Sequence, residues 1–466
     1  MKYLEITKIV LLVIGAIMAI FPIEYFLICL AGMFSKGKKF PVREEKLRYG
    51  VVICARNEEK VIGQLVESIR KCNYPQDKID IFVIAHNCTD RTAEIARQNM
   101  SGGGQVYEYN NSNEKTKGYA LKKIFQYIER DYGIQTYDGF HVFDADNILD
   151  EEYFNKMNDA FLYYDKKNAI TSFRNAKNFG ENAQTACYGY LYIMGCTIES
   201  NGRMALNGCA RILGSGFLIS AQMVKDGWNI VNLSDDTDFS IEQLLEGNKV
   251  KYCHEAMYYD EHPTKFKDMW RQRLRWAKGT VIVCNKRFGS LFKTAFGLKK
   301  RKEDEPKRCR WSSIDMMCTI LPVGAIGLFT SLIDITLKAF VPLFGVNPAG
   351  VWIRWAIWAA VGLGGGYLVM VLLAVACLIK ERKRLPKSSA KVRFASVLYW
   401  PIYSTMIIFL QIIALFSRKQ FAWTQIEHKN QANFDTFNTG VRQSAVDAQS
   451  VSQEDDMVTV AVTKEN

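Results

Sequence analysis

Apolar residues are concentrated in long runs near the two ends of this chain, and the first run predicts a membrane anchor. Residues from Ile6 to Phe34 are almost all apolar, with interruptions at Pro22 and Glu24. A transmembrane helix needs about 20 apolar residues, and this run supplies them. It is too long for the apolar core of a signal peptide, and no small-residue cleavage site precedes a mature domain. We therefore predict a transmembrane anchor over residues 1–36.

Three further apolar runs predict three transmembrane segments within residues 314–417. These runs are Ile314–Phe344, Val351–Ile379 and Phe394–Phe416. Each is long enough to cross a bilayer. Residues 418–466 form a polar tail, and the lack of apolar periodicity in its last part predicts disorder there.

Between the anchor and these runs, residues 37–262 alternate between strand-like and helix-like patterns. The predicted strands are Gly50–Ala55, Ile79–Ala85 and His141–Phe143, and the predicted helices are Glu59–Lys71 and Thr89–Gln98. Such alternation predicts an α/β domain with a mostly parallel sheet that is covered on both faces. Ligands of these sheets bind beyond the carboxyl ends of the strands, where Asn57, Asn87 and Asp144 lie.

The segment from Phe266 to Lys302 is amphipathic, with aromatic residues such as Trp270 and Phe288 among many lysines and arginines. A helix of this kind can lie in the headgroup plane of a membrane, or it can pack on the preceding domain as an ordinary helix. We favour the first interpretation and assign residues 263–313 to amphipathic helices at the membrane interface.

The charge distribution supports a membrane protein. The net charge is +12 and the pI is near 9.0. A basic protein can bind nucleic acid, but here the basic clusters at 36–39, 299–302 and 380–384 adjoin long apolar runs, which is typical of cytosolic loops. We therefore expect membrane lipids and no nucleic acid as partners. We also expect a multi-pass protein of the cell membrane whose 37–262 domain lies in the cytosol. The basic pair Arg418-Lys419 follows the last apolar run and leaves undecided on which side of the membrane the C-terminus lies.

Two acidic sites in the predicted domain carry candidate chemistry. Asp144 and Asp146 end an apolar strand, and Asp235 and Asp236 precede a helical run. The first pair can hold a divalent cation that neutralises a diphosphate leaving group. The second pair can provide a general base that deprotonates an attacking hydroxyl. Loop aspartates are more often turn or cap residues, and Ser234 with Asp235 would also serve as a helix N-cap, so neither site is specific alone.

A third candidate combines arginine with tryptophan. It is the run Gln272-Arg273-Leu274-Arg275-Trp276. An arginine matches diphosphate geometry with two parallel donors, and a tryptophan offers a flat apolar face to a sugar ring. An aromatic and basic girdle beside a membrane has the same composition, and both interpretations can hold together.

Two shorter motifs add candidate contacts. Lys117 stands beside Gly118 at a predicted helix start, where a lysine can contact phosphate, although such a lysine is more often simply exposed. The turn Gly214-Ser215-Gly216-Phe217 is rich in glycine, and we expect it to line an acceptor site.

Seven motifs in one order resemble those of the membrane-embedded family 2 glycosyltransferases, which include cellulose, hyaluronan and poly-N-acetylglucosamine synthases. The resemblance runs from about residue 50 to residue 280 and continues through the C-terminal apolar runs. The motifs are Ala55-Arg56-Asn57-Glu58-Glu59, Asn87-Cys88-Thr89-Asp90-x-Thr92, Lys117-Gly118-x-Ala120-Leu121, Asp144-x-Asp146, Gly214-x-Gly216-Phe217, Ser234-Asp235-Asp236 and Gln272-x-x-Arg275-Trp276. Together they are far more specific than any single one.

The resemblance implies a GT-A (Rossmann-like) α/β domain with transmembrane helices on both sides of it, a UDP-sugar donor and a Mg²⁺ or Mn²⁺ cofactor. It implies metal ligation by Asp146 together with Asp144. The implied contacts to the nucleotide come from Ala55, Glu58, His86, Lys117 and Asp144.

The resemblance also implies the roles of four catalytic residues. Asp236 would be the base of an inverting displacement that gives a β-linkage. Arg275 would hold the diphosphate, and Gln272 and Trp276 would hold the acceptor sugar at the mouth of a membrane channel.

The chain departs from the family pattern at three points. His86 stands where the family usually has an acidic residue that accepts the uracil N–H, and a neutral histidine can accept it through one ring nitrogen. The usual Thr-Glu-Asp is Ser234-Asp235-Asp236 here, with the final aspartate kept. One N-terminal span is predicted, whereas several polymer synthases have two or more.

We predict an enzyme, a hexosyltransferase that moves a hexose or N-acetylhexosamine from a UDP-sugar to a growing β-linked polysaccharide. The alternative is a non-processive transferase that adds one sugar to a lipid acceptor. The small number of spans favours the lipid acceptor, and the complete arginine-tryptophan motif favours the polymer. A transporter or receptor with a degenerate transferase domain is disfavoured because Asp144, Asp146, Asp236 and Trp276 are all retained.

Overall fold

The computed structural model describes residues 2–298, 310–340 and 347–418. The strands are β1 (Tyr49–Ala55), β2 (Ile79–His86), β3 (Gly104–Tyr109), β4 (Gly139–Asp144), β5 (Ile148–Leu149), β6 (Ile170–Ala176), β7 (Phe217–Ser220) and β8 (Lys251–Asp260). The helices of the first 298 residues are α1 (Lys2–Phe34), α2 (Ile62–Lys71), α3 (Thr92–Asn99), α4 (Lys117–Asp131), α5 (Tyr153–Tyr163), α6 (Ala183–Ile193), α7 (Asn201–Ala205), α8 (Asp235–Leu245) and α9 (Phe266–Ala295). The later helices are α10 (Arg310–Ile320), α11 (Val323–Ala339), α12 (Pro348–Lys380) and α13 (Ala390–Phe416). A π-helical segment, Met194–Ser200, joins α6 to α7.

The strands of the described residues form one mixed sheet in the order β3-β2-β1-β4-β7-β6-β8-β5. The half formed by β1 to β4 is parallel. In the other half, β7 runs antiparallel to both β4 and β6, β6 and β8 are parallel, and β5 is antiparallel to β8. The prediction of a mostly parallel sheet therefore describes the first half, whereas the second half is mixed.

The register of the parallel half brings three strand ends to one edge. Cys54 of β1 lies opposite both Ile84 of β2 and Asp144 of β4. The loops that follow these strands therefore begin side by side, as expected for ligand binding at the carboxyl edge of a sheet.

Helices cover both faces of the sheet, as predicted. Val51 and Ile53 belong to an apolar core that includes residues of α2 and α5. Val52 and Cys54 point the other way, into a core with residues of α4. Successive side chains of a strand alternate between faces, so a strand that is apolar throughout is buried on both sides.

Two helices of the described residues are long and apolar enough to cross a membrane, α12 and α13. Helices α10 and α11 pass the same test only as a pair, which is bent by 65° at its break. Pro322 lies at this break, and it lacks the amide hydrogen that would continue the helical hydrogen bonds. The predicted run Ile314–Phe344 thus corresponds to a bent pair, and its residues 341–344 lie outside the described part.

The predicted anchor over residues 1–36 falls on α1, whose described apolar part, Ala19–Phe34, is shorter than a full span. That assignment stays a prediction, as does the orientation of the domain. The polar tail beyond residue 418 lies outside the described residues.

Helix α1 packs closely on the π-helical segment and α7. A side chain at Gly32 would place its Cβ 1.9 Å from the carbonyl oxygen of Ile198, and one at Gly202 would place its Cβ 2.1 Å from that of Ile28. The Nζ of Lys380, at the end of α12, donates hydrogen bonds of 2.6–3.2 Å to three carbonyl oxygens at the end of α1. The apolar helices and the sheet domain therefore share a common interface.

The predicted amphipathic segment forms the helix α9, and residues 299–309 lie outside the described part. Helix α9 packs against α8 of the domain and against α10 and α13. Packing on the domain, the interpretation that we favoured less, therefore holds for part of its surface.

Candidate active site

The loops after β1 and β2 are locked together by side chains from their two motifs. Asn57 and Asn87 both have positive φ, of 57° and 54°, a conformation that asparagine tolerates better than most residues. The Oδ1 of Asn57 accepts a hydrogen bond of 2.8 Å from the backbone N–H of Thr89. The hydroxyl of Thr92 accepts one of 2.8 Å from the N–H of Glu58. These bonds join the two motifs, and they fix the backbone of Glu58 at the cavity described below.

Lys117 links the first acidic site to the glycine-rich turn. It is the first residue of α4, and its Nζ donates to Asp144 Oδ1 at 2.6 Å and to the carbonyl oxygen of Gly214 at 3.1 Å. Burial opposes the charged form of Lys117, but the carboxylates of Asp144 and Asp235 outweigh it and hold its pKa above the ordinary value. Lys117 is therefore charged at the centre of the site.

A buried network of hydrogen bonds positions Asp146. The Nδ2 of Asn147 donates to Asp146 Oδ1 at 3.1 Å and to Asp260 Oδ1 at 2.9 Å. The other carboxylate oxygen of Asp260 accepts from Arg174 Nε at 3.1 Å. Arg174 also donates to the carbonyl oxygen of Leu213 at 2.6 Å, and this bond connects the network to the glycine-rich turn, which begins at the next residue. Asp146 is thus held by groups from two strands, β6 and β8, and from two loops.

Asp235 and Asp236 are the first two residues of α8 and follow Ser234 at its N-cap. Burial raises the pKa of Asp235 to about 7, and Asp236 and Asp144 add to the rise while Lys117 opposes it. The Oδ1 of Asp236 accepts a hydrogen bond of 2.7 Å from the backbone N–H of Thr237. The other oxygen of its carboxylate can face a substrate. The motif does start a helix, as predicted, but the side chain of Ser234 makes no capping hydrogen bond. The position at the helix start is compatible with a catalytic role for Asp236.

Helix α9 is fastened to α8, which carries Asp236. The buried carboxylate of Asp238 accepts hydrogen bonds from Lys286 Nζ at 2.8 Å and from Arg287 Nε. Near the start of α8, a Cβ at Gly279 would lie 2.1 Å from the hydroxyl oxygen of Ser234. A side chain at position 279 would have to displace the hydroxyl of Ser234 or move the two helices apart, so the glycine permits their close approach.

One face of α9 carries the arginine-tryptophan motif into the cavity. Gln272, Arg275 and Trp276 line it, as the i, i+3, i+4 spacing of one helix face requires. The Oε1 of Gln272 accepts a hydrogen bond of 2.5 Å from the hydroxyl of Tyr188. Burial lowers the pKa of Arg275, and the carboxylates of Asp144 and Asp235 oppose that shift. In contrast, Arg273 points away and donates to the carbonyl oxygen of Tyr403 in α13 at 2.7 Å.

These elements enclose one cavity of about 310 Å³, within the size range of ligand sites. Of the residues selected from the sequence, it is lined by Glu58, Lys117, Asp144, Asp146, Asp236, Gln272, Arg275 and Trp276. Both acidic sites and the aromatic-basic motif therefore face the same space, the condition on which the sequence interpretation depends.

Two predicted nucleotide contacts lie outside the cavity lining. Ala55 is buried at the end of β1. His86 is buried and stacks on Tyr109, with ring centroids 5.6 Å apart. Burial and the nearby Arg56 lower the pKa of His86, which favours its neutral form. Their roles stay predictions.

The motifs did not identify every polar residue of the cavity. Arg174, Glu199, Arg211, Asp260 and Glu261 also line it. The acidic pair at 260–261 stands at the carboxyl end of β8, so the same strand-end rule could have found it. The other three carry no local signal in the sequence, since their positions depend on contacts with distant segments.

The comparisons with known proteins agree with this geometry. A family model described as Glycosyltransferase like family 2 matches residues 47–279. A probable glycosyltransferase of Bacillus subtilis, YdaM, is 26% identical over 259 residues, 54% of this chain and 59% of that protein.

Two relatives have names that state a product. The beta-monoglucosyldiacylglycerol synthase of Synechocystis sp. is 26% identical over 49% of this chain and 47% of that protein. The poly-beta-1,6-N-acetyl-D-glucosamine synthase of Staphylococcus aureus is 25% identical over 56% of this chain and 61% of that protein. The chain thus spans about half to three-fifths of the length of these relatives.

A solved structure with a similar fold supports the assignment of the domain. It is the mannosyltransferase PcManGT from Pyrobaculum calidifontis in complex with GDP-Man and Mn²⁺. The TM-score is 0.53 at 12% identity, and the alignment covers 88% of this chain and 99% of that chain. This likeness supports a GT-A-like fold.

Proposed function

Because the chain belongs to the glycosyltransferase family 2, we propose that it is an inverting hexosyltransferase. In this proposal it moves a hexose or N-acetylhexosamine from a UDP-sugar to a β-linked polysaccharide at a membrane. The observation that supports it most is the single cavity in which Asp144, Asp146, Asp236, Arg275 and Trp276 meet.

The donor diphosphate would bind between Lys117 and Arg275. Both side chains line the cavity, and Lys117 is held in place by Asp144 and Gly214. Two cations can offset the charge that develops on a departing diphosphate, and a guanidinium can bind two of its oxygens at once. Glu58 at the same wall would contact the nucleoside.

A divalent cation would be held by Asp146 and Asp144. Their carboxylate oxygens are the hard ligands that Mg²⁺ and Mn²⁺ prefer, so the donor set fits. The described residues contain no group of three or more His, Cys, Asp or Glu side chains suited to a metal, so phosphate or water oxygens would complete the coordination. When bound, the cation would neutralise the leaving diphosphate.

Asp236 would act as the base. Its carboxylate accepts the proton of the acceptor hydroxyl while that oxygen attacks the anomeric carbon from the side opposite the diphosphate. The new glycosidic bond forms as the bond from the anomeric carbon to the diphosphate oxygen breaks, and UDP leaves. Attack from the opposite side inverts the anomeric carbon, which gives a β-linkage from an α-linked donor. Gln272 and Trp276 would hold the acceptor sugar.

A lipid acceptor is the second candidate. One group of relatives is named as synthases of monoglucosyldiacylglycerol. In addition, the cavity is lined by Glu199, which accepts a hydrogen bond from Tyr25 of the apolar helix α1. In either case we propose a multi-pass protein of the cell membrane with the cavity on the cytosolic side.

The test uses the full-length protein in purified membranes with a panel of UDP-sugars, with UDP release and labelled products as readouts. We expect release with one or a few UDP-sugars, loss of release in excess EDTA, and its return with Mg²⁺ or Mn²⁺. A ladder or smear on a gel identifies a polymer product, and one glycolipid band identifies a lipid product. Failure of every UDP-sugar, with and without either acceptor, would contradict the proposal.

A further inference from the structure

The cavity that Asp236 and Trp276 line is also lined by a second pair of charged residues, Glu199 and Arg211. Neither residue belongs to the seven sequence motifs, and the mechanism above assigns neither a role. They lie on the wall made by the π-helical segment and by the chain just before the glycine-rich turn.

This wall contains the π-helical segment Met194–Ser200. Segments with this wider turn are rare and are frequently found at functional sites. Gly195 and Glu199 of the segment both line the cavity.

The carboxylate of Glu199 is ionised. Burial opposes the charged form, but Arg203 and Arg211 outweigh it and lower its pKa. Its oxygen Oε2 lies 3.1 Å from Arg203 Nη1 and 3.6 Å from Arg211 Nη2. Glu199 therefore presents a fixed hydrogen-bond acceptor at the cavity wall.

Arg203 and Arg211 differ in how many of their hydrogen-bond donors are already used within the protein. Arg203 is engaged by Asp315, with Nε and Nη2 donating at 2.8 and 2.9 Å. The Nε of Arg211 is buried without a hydrogen-bond partner among the described residues. The Arg211 side chain as a whole is 26% exposed and lines the cavity. Other N–H groups of its guanidinium can therefore donate to a ligand.

A donor beside an ionised acceptor matches the adjacent hydroxyls of a sugar or glycerol, because each hydroxyl both donates and accepts. A phosphate would suit Arg211, but Glu199 would repel it. The site also adjoins the apolar helix α1, since the hydroxyl of Tyr25 donates to Glu199 Oε1 at 3.2 Å.

We propose that Glu199 and Arg211 form an acceptor subsite that binds the hydroxyls of a polyol headgroup and directs one of them toward Asp236. This inference rests on the proposed function and adds the chemistry of the acceptor. The headgroup can come from the end of a glycan or from a lipid, and the two arms of the experiment separate these sources.

The experiment compares Arg211→Gln and Arg211→Lys with the wild type, each as the full chain in proteoliposomes. The donor is the UDP-sugar that gives UDP release. The acceptor is 1-monooleoylglycerol in the vesicle in one arm, because its two free hydroxyls are adjacent, and a β-linked N-acetylglucosamine tetramer in the other. Arg97→Gln is the matched control, because Arg97 pairs with Glu108 on the surface and is half exposed.

We expect Arg211→Gln to raise the KM for the acceptor about ten- to a hundredfold, the effect of losing a charged hydrogen bond. Arg211→Lys should have a smaller effect, and Arg97→Gln should have none. The KM for the donor and the slow UDP release without acceptor should stay within about twofold of the wild type, which also reports that the variants are folded. The arm with the larger change identifies the source of the headgroup.

An unchanged KM for the acceptor in both arms, or an equal rise in the KM for the donor, would overturn the inference alone. Absence of transfer by the wild type would overturn the proposed function, and this inference with it.

Discussion

Lys117 lies between the two acidic sites of the cavity, and its charge offsets theirs. Its Nζ is 2.6 Å from Asp144, and its raised pKa reflects both Asp144 and Asp235. Without this cation, the carboxylates of the two acidic sites would face one another across the space where a diphosphate is expected.

We predict that Lys117→Met lowers kcat/KM about a hundredfold and weakens donor binding, because the variant loses a charged hydrogen bond and leaves Asp144 unopposed. Lys115→Met is the matched control, since Lys115 lies two residues before Lys117, in the loop that precedes α4, and is exposed. Titration calorimetry with UDP and steady-state UDP release measure the two effects. Equal affinity for UDP in both variants would contradict the role of Lys117.

At the same scale, the sequence predicted the residues that stand at strand ends and helix starts, because those positions follow from local pattern. It did not predict the partners that hold them. Arg174 and Asp260 form a buried pair that is 86 residues apart in the chain, and no local periodicity marks such a pair. The same holds for Glu199 and Arg211, whose approach depends on the packing of a π-helical segment.

At the scale of elements, the contact between α8 and α9 sets the distance from the proposed base to the aromatic-basic motif. Gly279 permits this contact, and the ion pairs of Asp238 hold it. The two helices therefore act as one unit that presents Asp236 and Trp276 to the cavity.

We predict that Gly279→Ala lowers kcat at least tenfold while UDP still binds, because the added methyl group forces α9 away from Ser234. Gly289→Ala in the same helix is the control, since nothing lies within 4 Å of its added Cβ. The control should keep full activity and gain about 1 kcal/mol of stability from helix propensity. Wild-type kcat in Gly279→Ala would show that this spacing does not matter.

The sequence predicted where strands form better than it predicted where a long helix breaks. The predicted strands fall on β1, β2 and β4 because their apolar runs are buried on both faces. The break between α10 and α11 at Pro322 was not predicted. A proline alone does not identify a break, since Pro22 and Pro401 lie inside unbroken helices. Tertiary packing decides which proline interrupts a helix.

At the scale of the whole molecule, the apolar helices and the sheet domain are joined by specific contacts. Lys380 of α12 caps the end of α1, and Arg273 of α9 donates to α13. The linear division into anchor, domain and spans did not predict this arrangement, because each contact joins residues that are far apart in sequence.

We predict that the full-length protein stays in the membrane pellet after extraction with alkaline carbonate and is released only by detergent. Helices α12 and α13 expose wide apolar surfaces that water would solvate poorly. Immunoblots of pellet and supernatant measure the outcome. Quantitative release into the carbonate supernatant would contradict membrane spanning.

The most direct test of the central claim compares Asp236→Asn with the wild type in UDP release and in UDP binding. Asparagine keeps an oxygen for the N–H of Thr237 but cannot accept a proton, so we expect kcat to fall by about two to four orders of magnitude. The dissociation constant of UDP should stay within about threefold, and the exposed Asp226→Asn should behave as the wild type. Wild-type turnover by Asp236→Asn would contradict the assignment of the base.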